Sequence, residues 1–76
     1  MPESLSTVFG EVLAKRRRRA GLSQEALAEA CGLHRTYVSQ LERGLKSPTL
    51  RTLFDLAEAL GASPARIVAE CERLIS

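Results

Sequence analysis

Four glycines, Gly21, Gly32, Gly44 and Gly61, each stand directly behind a stretch whose apolar residues recur every three or four positions. That spacing is helical, and a glycine at its end is a C-terminal stop, so the chain divides into short helices rather than strands. No alternating run, internal repeat or low-complexity linker breaks the pattern. The spacing predicts one all-α domain of five helices over residues 1–76.

The first helix is expected from about Ser6 to Arg19, with Leu5, Val8, Phe9, Val12 and Leu13 on one buried face. Its last turn holds Arg16, Arg17, Arg18 and Arg19, where cations favour the negative end of the helix dipole. A solvated helix end explains that run as well as a contact surface does. Ser23 is a good N-cap for a second helix ending at Cys31, and Leu22 and Leu27 can staple its entry; Ala26 at N3 rules out a capping box. Leu33 and Val38 stand in the same relation around His34, so a third helix is expected from His34 to Arg43. Two helices joined by a tight turn at Gly32 form a helix-turn-helix, here residues 23–43. The fourth starts at Thr49 behind Pro48 and is expected to bury Leu50, Leu53, Phe54, Ala57 and Leu60. The fifth, about residues 64–75, opens with Ser63 and Pro64 and is expected to bury its apolar stripe, Ile67, Val68, Cys71, Leu74 and Ile75.

A chain of 76 residues buries only about 60% of its unfolded surface, so a partner subunit would help to stabilise it. Cys31 and Cys71 have no paired spacing and read as reduced core residues, which suits the cytoplasm. No run of apolar residues is long enough for a membrane span or signal peptide. The formal net charge of +2 implies no partner by itself. Its distribution says more: the arginines and lysine of the middle of the chain would suit a polyanion, while Glu58, Glu70 and Glu72 gather toward the C-terminus.

The third helix has an unusual division of labour. At about 100° per residue, Val38 and Leu41 lie about 60° apart, and Arg35, Thr36, Ser39, Gln40 and Arg43 share an opposite arc of about 140°. All five can hydrogen-bond and none is acidic, with Glu42 on the flank. Arginine can pair bidentately with guanine and glutamine with adenine in the major groove of DNA.

The run from Gly21 to Ser63, GLSQEALAEACGLHRTYVSQLERGLKSPTLRTLFDLAEALGAS, resembles the lambda-repressor and Cro type of helix-turn-helix, the XRE family. HRTYVSQLERG is similar to the small controller proteins of restriction–modification systems. The resemblance implies a five-helix, lambda-repressor-like fold and a homodimer on an inverted-repeat operator in double-stranded DNA. It implies base-edge or adjacent backbone contacts from Arg35, Thr36, Ser39 and Gln40. It implies backbone contacts from Gln24, Arg43, Lys46, Ser47 and Thr49. Tyr37 sits at the edge of the helical wheel, where its phenol could reach a phosphate or its ring could pack inward. Glu42 and Arg17 match an ion pair between helices. His34 departs from the pattern, since serine or threonine usually caps that helix.

The apolar stripe of the fifth helix exceeds what one small core needs, so Ile67, Val68, Cys71, Leu74 and Ile75 are expected at a two-fold interface. A different reading is a protein-interaction module, such as an antitoxin-like or accessory subunit; an apolar tail or extension would favour it, and none is read in the sequence. An enzyme is not expected, because there is one histidine, no phosphate-binding glycine loop and no metal-spaced cluster. No cofactor, metal or small-molecule ligand is expected.

Overall fold

The computed structural model describes residues 4–75, which form five helices: α1 (Leu5–Arg19), α2 (Gln24–Cys31), α3 (Arg35–Glu42), α4 (Leu50–Ala59) and α5 (Pro64–Ile75). Local chemistry sets most of the boundaries. The hydroxyls of Ser4, Ser23 and Thr49 accept the N–H groups of Thr7, Ala26 and Thr52, at 3.2, 3.0 and 3.1 Å, and so cap α1, α2 and α4. His34 occupies the same place before α3 without a side-chain cap hydrogen bond. Its imidazole thus leaves unused the one role that serine or threonine would fill. Ser63 Oγ accepts from Ala65 at the start of α5.

The core is built from Val8, Phe9, Val12 and Leu13 of α1, Leu27 and Ala28 of α2, Val38 and Leu41 of α3, Leu56 and Ala57 of α4, and Ile67 and Cys71 of α5. Leu22 and Leu33, the two staple residues, pack against its edge. Burial of one aliphatic or aromatic side chain contributes about 1.5–3 kcal/mol, so Val38 and Leu41, both with no exposed surface, hold α3 firmly from behind. Both cysteines are free thiols. Burial raises each thiol's pKa above its ordinary value, with nearby carboxylates adding to the effect, and Cys31 donates to the carbonyl of Asp55 at 3.5 Å.

Expectations of burial in three helices need correction. In α4 the buried residues are Leu56 and Ala57, with Leu53 and Leu60 at the margin, whereas Leu50 and Phe54 are more than half exposed. Leu56 lies about 120° round the helix from Leu50, so the face turned inward is rotated away from the Leu50–Phe54 flank. Leu5, Val68 and Leu74 are likewise more than half exposed. Leu5 is the first residue of α1 and Leu74 lies in the last turn of α5, while Val68 stands about 100° from the inward-facing Ile67.

Backbone approach fixes the angle at which α3 meets α1. A methyl group at Gly10 would lie 2.5 Å from the carbonyl oxygens of both Leu41 and Glu42. Only glycine lets the middle of α1 sit against the C-terminal end of α3. Just beyond, Gly44 has a φ of +75° and its own missing Cβ would fall 2.9 Å from Thr7 Cα, so both its conformation and its surroundings require glycine.

Candidate nucleic-acid interface

The outer face of α3 stands clear of the core. Arg35, Thr36 and Arg43 are exposed, and Ser39 and Gln40 are half-exposed on the same side. Tyr37 is half-buried with its ring against the core, so packing accounts for its body. Glu42 is drawn inward. Its side chain is 6% exposed and accepts from Arg17, Nε to Oε2 at 2.6 Å and Nη2 to Oε1 at 3.1 Å. This fork-like pair takes the only acidic residue of α3 off the displayed face. It also keeps the Arg17 guanidinium protonated even more firmly than usual, first through the hydrogen bonds to Glu42 and against the cost of burial. The remaining Arg17 nitrogen, Nη1, donates to the carbonyl of Leu22 at 2.9 Å, tying α1 to the entry of α2.

The arginine run of α1 therefore divides. Arg17 serves α3, and Arg16 turns to α5, where its Nε meets Glu70 Oε1 at 3.0 Å. Arg18 and Arg19 are exposed. Neither pairing of the first two has a local signal in the sequence, since the partners are 25 and 54 residues away.

The other expected contact residues fall into two groups. Gln24 opens α2, half-buried, and its Nε2 donates to Glu42 Oε1 at 2.9 Å. Arg43, Lys46, Ser47 and Thr49 are exposed along the connection from α3 to α4. Two of these hydroxyls already have work in the fold: Thr49 caps α4, and Ser47 hydrogen-bonds the hydroxyl of Ser6 on α1. The α3–α4 connection is thereby tied to the first helix as well as to its neighbours. The glycine contact at Gly10 and the Gln24–Glu42 bond were both missed in the sequence. A glycine inside an otherwise good helix was the available signal for the first.

A second surface begins at the α3–α4 connection, where Ser47, Pro48 and Thr49 border it. Phe9, Pro48, Leu50, Leu53, Val68 and Ile75 line an apolar groove of about 480 Å³ between α1, α4 and α5, with Leu5, Ser6, Ser47, Thr49, Cys71 and Glu72 completing its wall. Among the five residues of the α5 stripe, Ile67 and Cys71 are buried in the chain's own core. Val68 and Leu74 are its exposed part, and Ile75 is half-buried against the core's edge.

Comparison with known proteins agrees with this architecture. The helix-turn-helix family profile matches residues 13–67. The HTH-type transcriptional regulator y4dJ of Sinorhizobium fredii is 44% identical over 61 residues, covering 80% of this chain and 79% of its own. Control protein C.BamHI of Bacillus amyloliquefaciens is 37% identical over 65 residues, covering 84% and 80%. Among solved structures, the clp gene regulator ClgR of Corynebacterium glutamicum superposes with a TM-score of 0.92 at 32% identity, over 100% of this chain and 97% of the other. Sequence profile, relatives and architecture coincide on the same segment, and the chain belongs to the helix-turn-helix family of DNA-binding transcriptional regulators, of the lambda-repressor-like XRE type.

Proposed function

We propose that this chain acts in the cytoplasm as one sequence-specific DNA-binding domain, pairing as a homodimer on an inverted-repeat operator to regulate transcription. The observation that carries the reading is the division of α3: two fully buried anchors, Val38 and Leu41, and a displayed arc of hydrogen-bonding residues from which Glu42 has been withdrawn. Arg35, Thr36, Ser39 and Gln40 read base edges in the major groove, and Gln24, Tyr37, Arg43, Lys46, Ser47 and Thr49 hold the flanking backbone. The first turn of α2 adds backbone N–H groups without intrahelical partners, which suit a phosphate.

The uncovered apolar groove supports the dimer. Val68, Leu74 and Ile75, together with Leu50 at the start of α4, are the surface a second copy would cover. A two-fold arrangement places two recognition helices about 34 Å apart, one turn of DNA. The description of one relative as a control protein favours a small regulator of this kind. The same groove would also accept a different protein, as in an antitoxin-like or accessory subunit. Sedimentation at micromolar concentration separates the two: a dimer supports the operator reading, and a persistent monomer favours the other partner.

The base-reading assignment is tested on a duplex selected from a random-sequence library. Arg35→Ala is expected to cost about 1–3 kcal/mol on that duplex and to relax preference at one base pair, because a bidentate base contact carries both affinity and discrimination. Lys46→Ala is expected to weaken all sequences alike. Competition with single-base variants of the duplex distinguishes them, and an equal loss on every variant for Arg35→Ala would remove it from the base-reading set.

A further inference from the structure

We propose that Glu42 is a positioning residue for DNA binding, acting through Gln24 rather than touching DNA itself. The proposal rests on the reading that Gln24 meets a phosphate. A carboxylate can only accept hydrogen bonds, so the group that Gln24 turns toward Glu42 is its amide nitrogen, Nε2 to Oε1 at 2.9 Å. That same carboxylate oxygen takes Arg17 Nη2 at 3.1 Å, while Oε2 takes Arg17 Nε at 2.6 Å.

Three helices thus meet at one carboxylate: α1 through Arg17, α2 through Gln24 and α3 through Glu42 itself. A free glutamine side chain samples many rotamers, and ordering it on a phosphate costs entropy. Here one amide hydrogen is held by Glu42 before DNA arrives, and the second is left to donate to a phosphate oxygen. Arg17 makes this tolerable near a polyanion by neutralising the carboxylate. The arrangement fixes the backbone clamp of α2 relative to the recognition helix, because the clamp is oriented by a residue of α3.

A double-mutant cycle tests the claim. Glu42→Ala alone would leave Arg17 without its partner and could unfold the chain, so the pair is exchanged together, Arg17→Met with Glu42→Leu. That exchange removes the acceptor for Gln24 and leaves net charge unchanged, so the general attraction to DNA is preserved. In the unmutated chain Gln24→Ala is expected to lower affinity about tenfold, on the scale of one hydrogen bond to a charged group. In the exchanged background, with folding confirmed by thermal melting, the same substitution is expected to cost less than about twofold. An equal tenfold loss in both backgrounds would overturn the positioning role and leave the phosphate contact standing. No loss in the unmutated chain would overturn the phosphate contact, and the positioning role with it.

A second readout uses the free protein. The side-chain nitrogen of Gln24 is expected to show a high NMR order parameter that falls in the exchanged background; equal values in both would overturn the proposal. If the exchanged chain does not fold, Glu42→Gln replaces it. That variant gains one positive charge, which on electrostatics alone would tighten binding. The positioning role predicts weaker binding, since the charged Arg17 captures the one remaining carbonyl, and tighter binding would overturn it.

Discussion

Two surfaces of the molecule, which meet at Ser47 and Thr49, solve opposite problems. Around α3, polar groups are held in place: Arg17, Glu42 and Gln24 form a closed set of hydrogen bonds, and among the described residues no buried side-chain polar atom lacks a partner. Between α1, α4 and α5 the situation is reversed. Leu5, Leu50 and Val68 are more than half exposed and line an open groove, with Leu74 exposed in the last turn of α5. A surface that must present hydrogen-bonding groups to a ligand has to be rigid behind, which favours a saturated polar network and close backbone contacts. A surface that keeps apolar side chains outside is unfinished as a monomer and is best completed by another chain.

Substitutions at the two surfaces should therefore fail in different ways. The largest loss is expected from Arg17→Met alone, which leaves the Glu42 carboxylate nearly buried and without its cation. About 3–5 kcal/mol of stability should disappear, measured by urea denaturation. A loss below about 1 kcal/mol would mean that the carboxylate finds water easily and that the polar network is not closed. Next comes Gly10→Ala. Its methyl would press on the carbonyls of Leu41 and Glu42, so about 1–3 kcal/mol should be lost. DNA affinity should fall beyond what unfolding explains, because α3 must shift. An unchanged melting temperature would contradict the close approach.

The smallest effect on monomer stability is expected at the apolar surface. Leu74→Glu should change the unfolding free energy of a dilute monomer by less than about 0.5 kcal/mol, because the side chain is already 58% exposed. Its association should nevertheless be lost. Sedimentation should show a folded monomer with operator affinity reduced much more than half-site affinity. A variant that still dimerises would move the interface away from α5.

The sequence disclosed those parts of this contrast that depend on neighbours along the chain. Ser23, Thr49, Val38 with Leu41, and the closing glycines carry local signals, and they placed the helices within a residue or two of their boundaries. The phase of α4 was harder to read. Leu50, Leu53, Phe54, Leu56, Ala57 and Leu60 make an apolar band wider than the core can cover, and spacing alone does not say which flank turns outward. Burial of Leu56 was missed for that reason. The packing at Gly10 and the Arg16–Glu70 pair depend on helices that are distant in sequence, so no local pattern could announce them. The Arg17–Glu42 pair was legible only through family resemblance, and its link to Gln24 emerges only when α1, α2 and α3 are packed together.

The central claim, that the α3 face reads DNA as part of a two-fold assembly, is met most directly by selecting bound duplexes from a random-sequence library and titrating the winner with salt. Enrichment of an inverted repeat whose half-sites are centred about one helical turn apart is expected. With three or four basic residues engaged per subunit, log affinity against log salt should have a slope of about −5 to −7. A library with no enriched sequence, or a slope near zero, would contradict it.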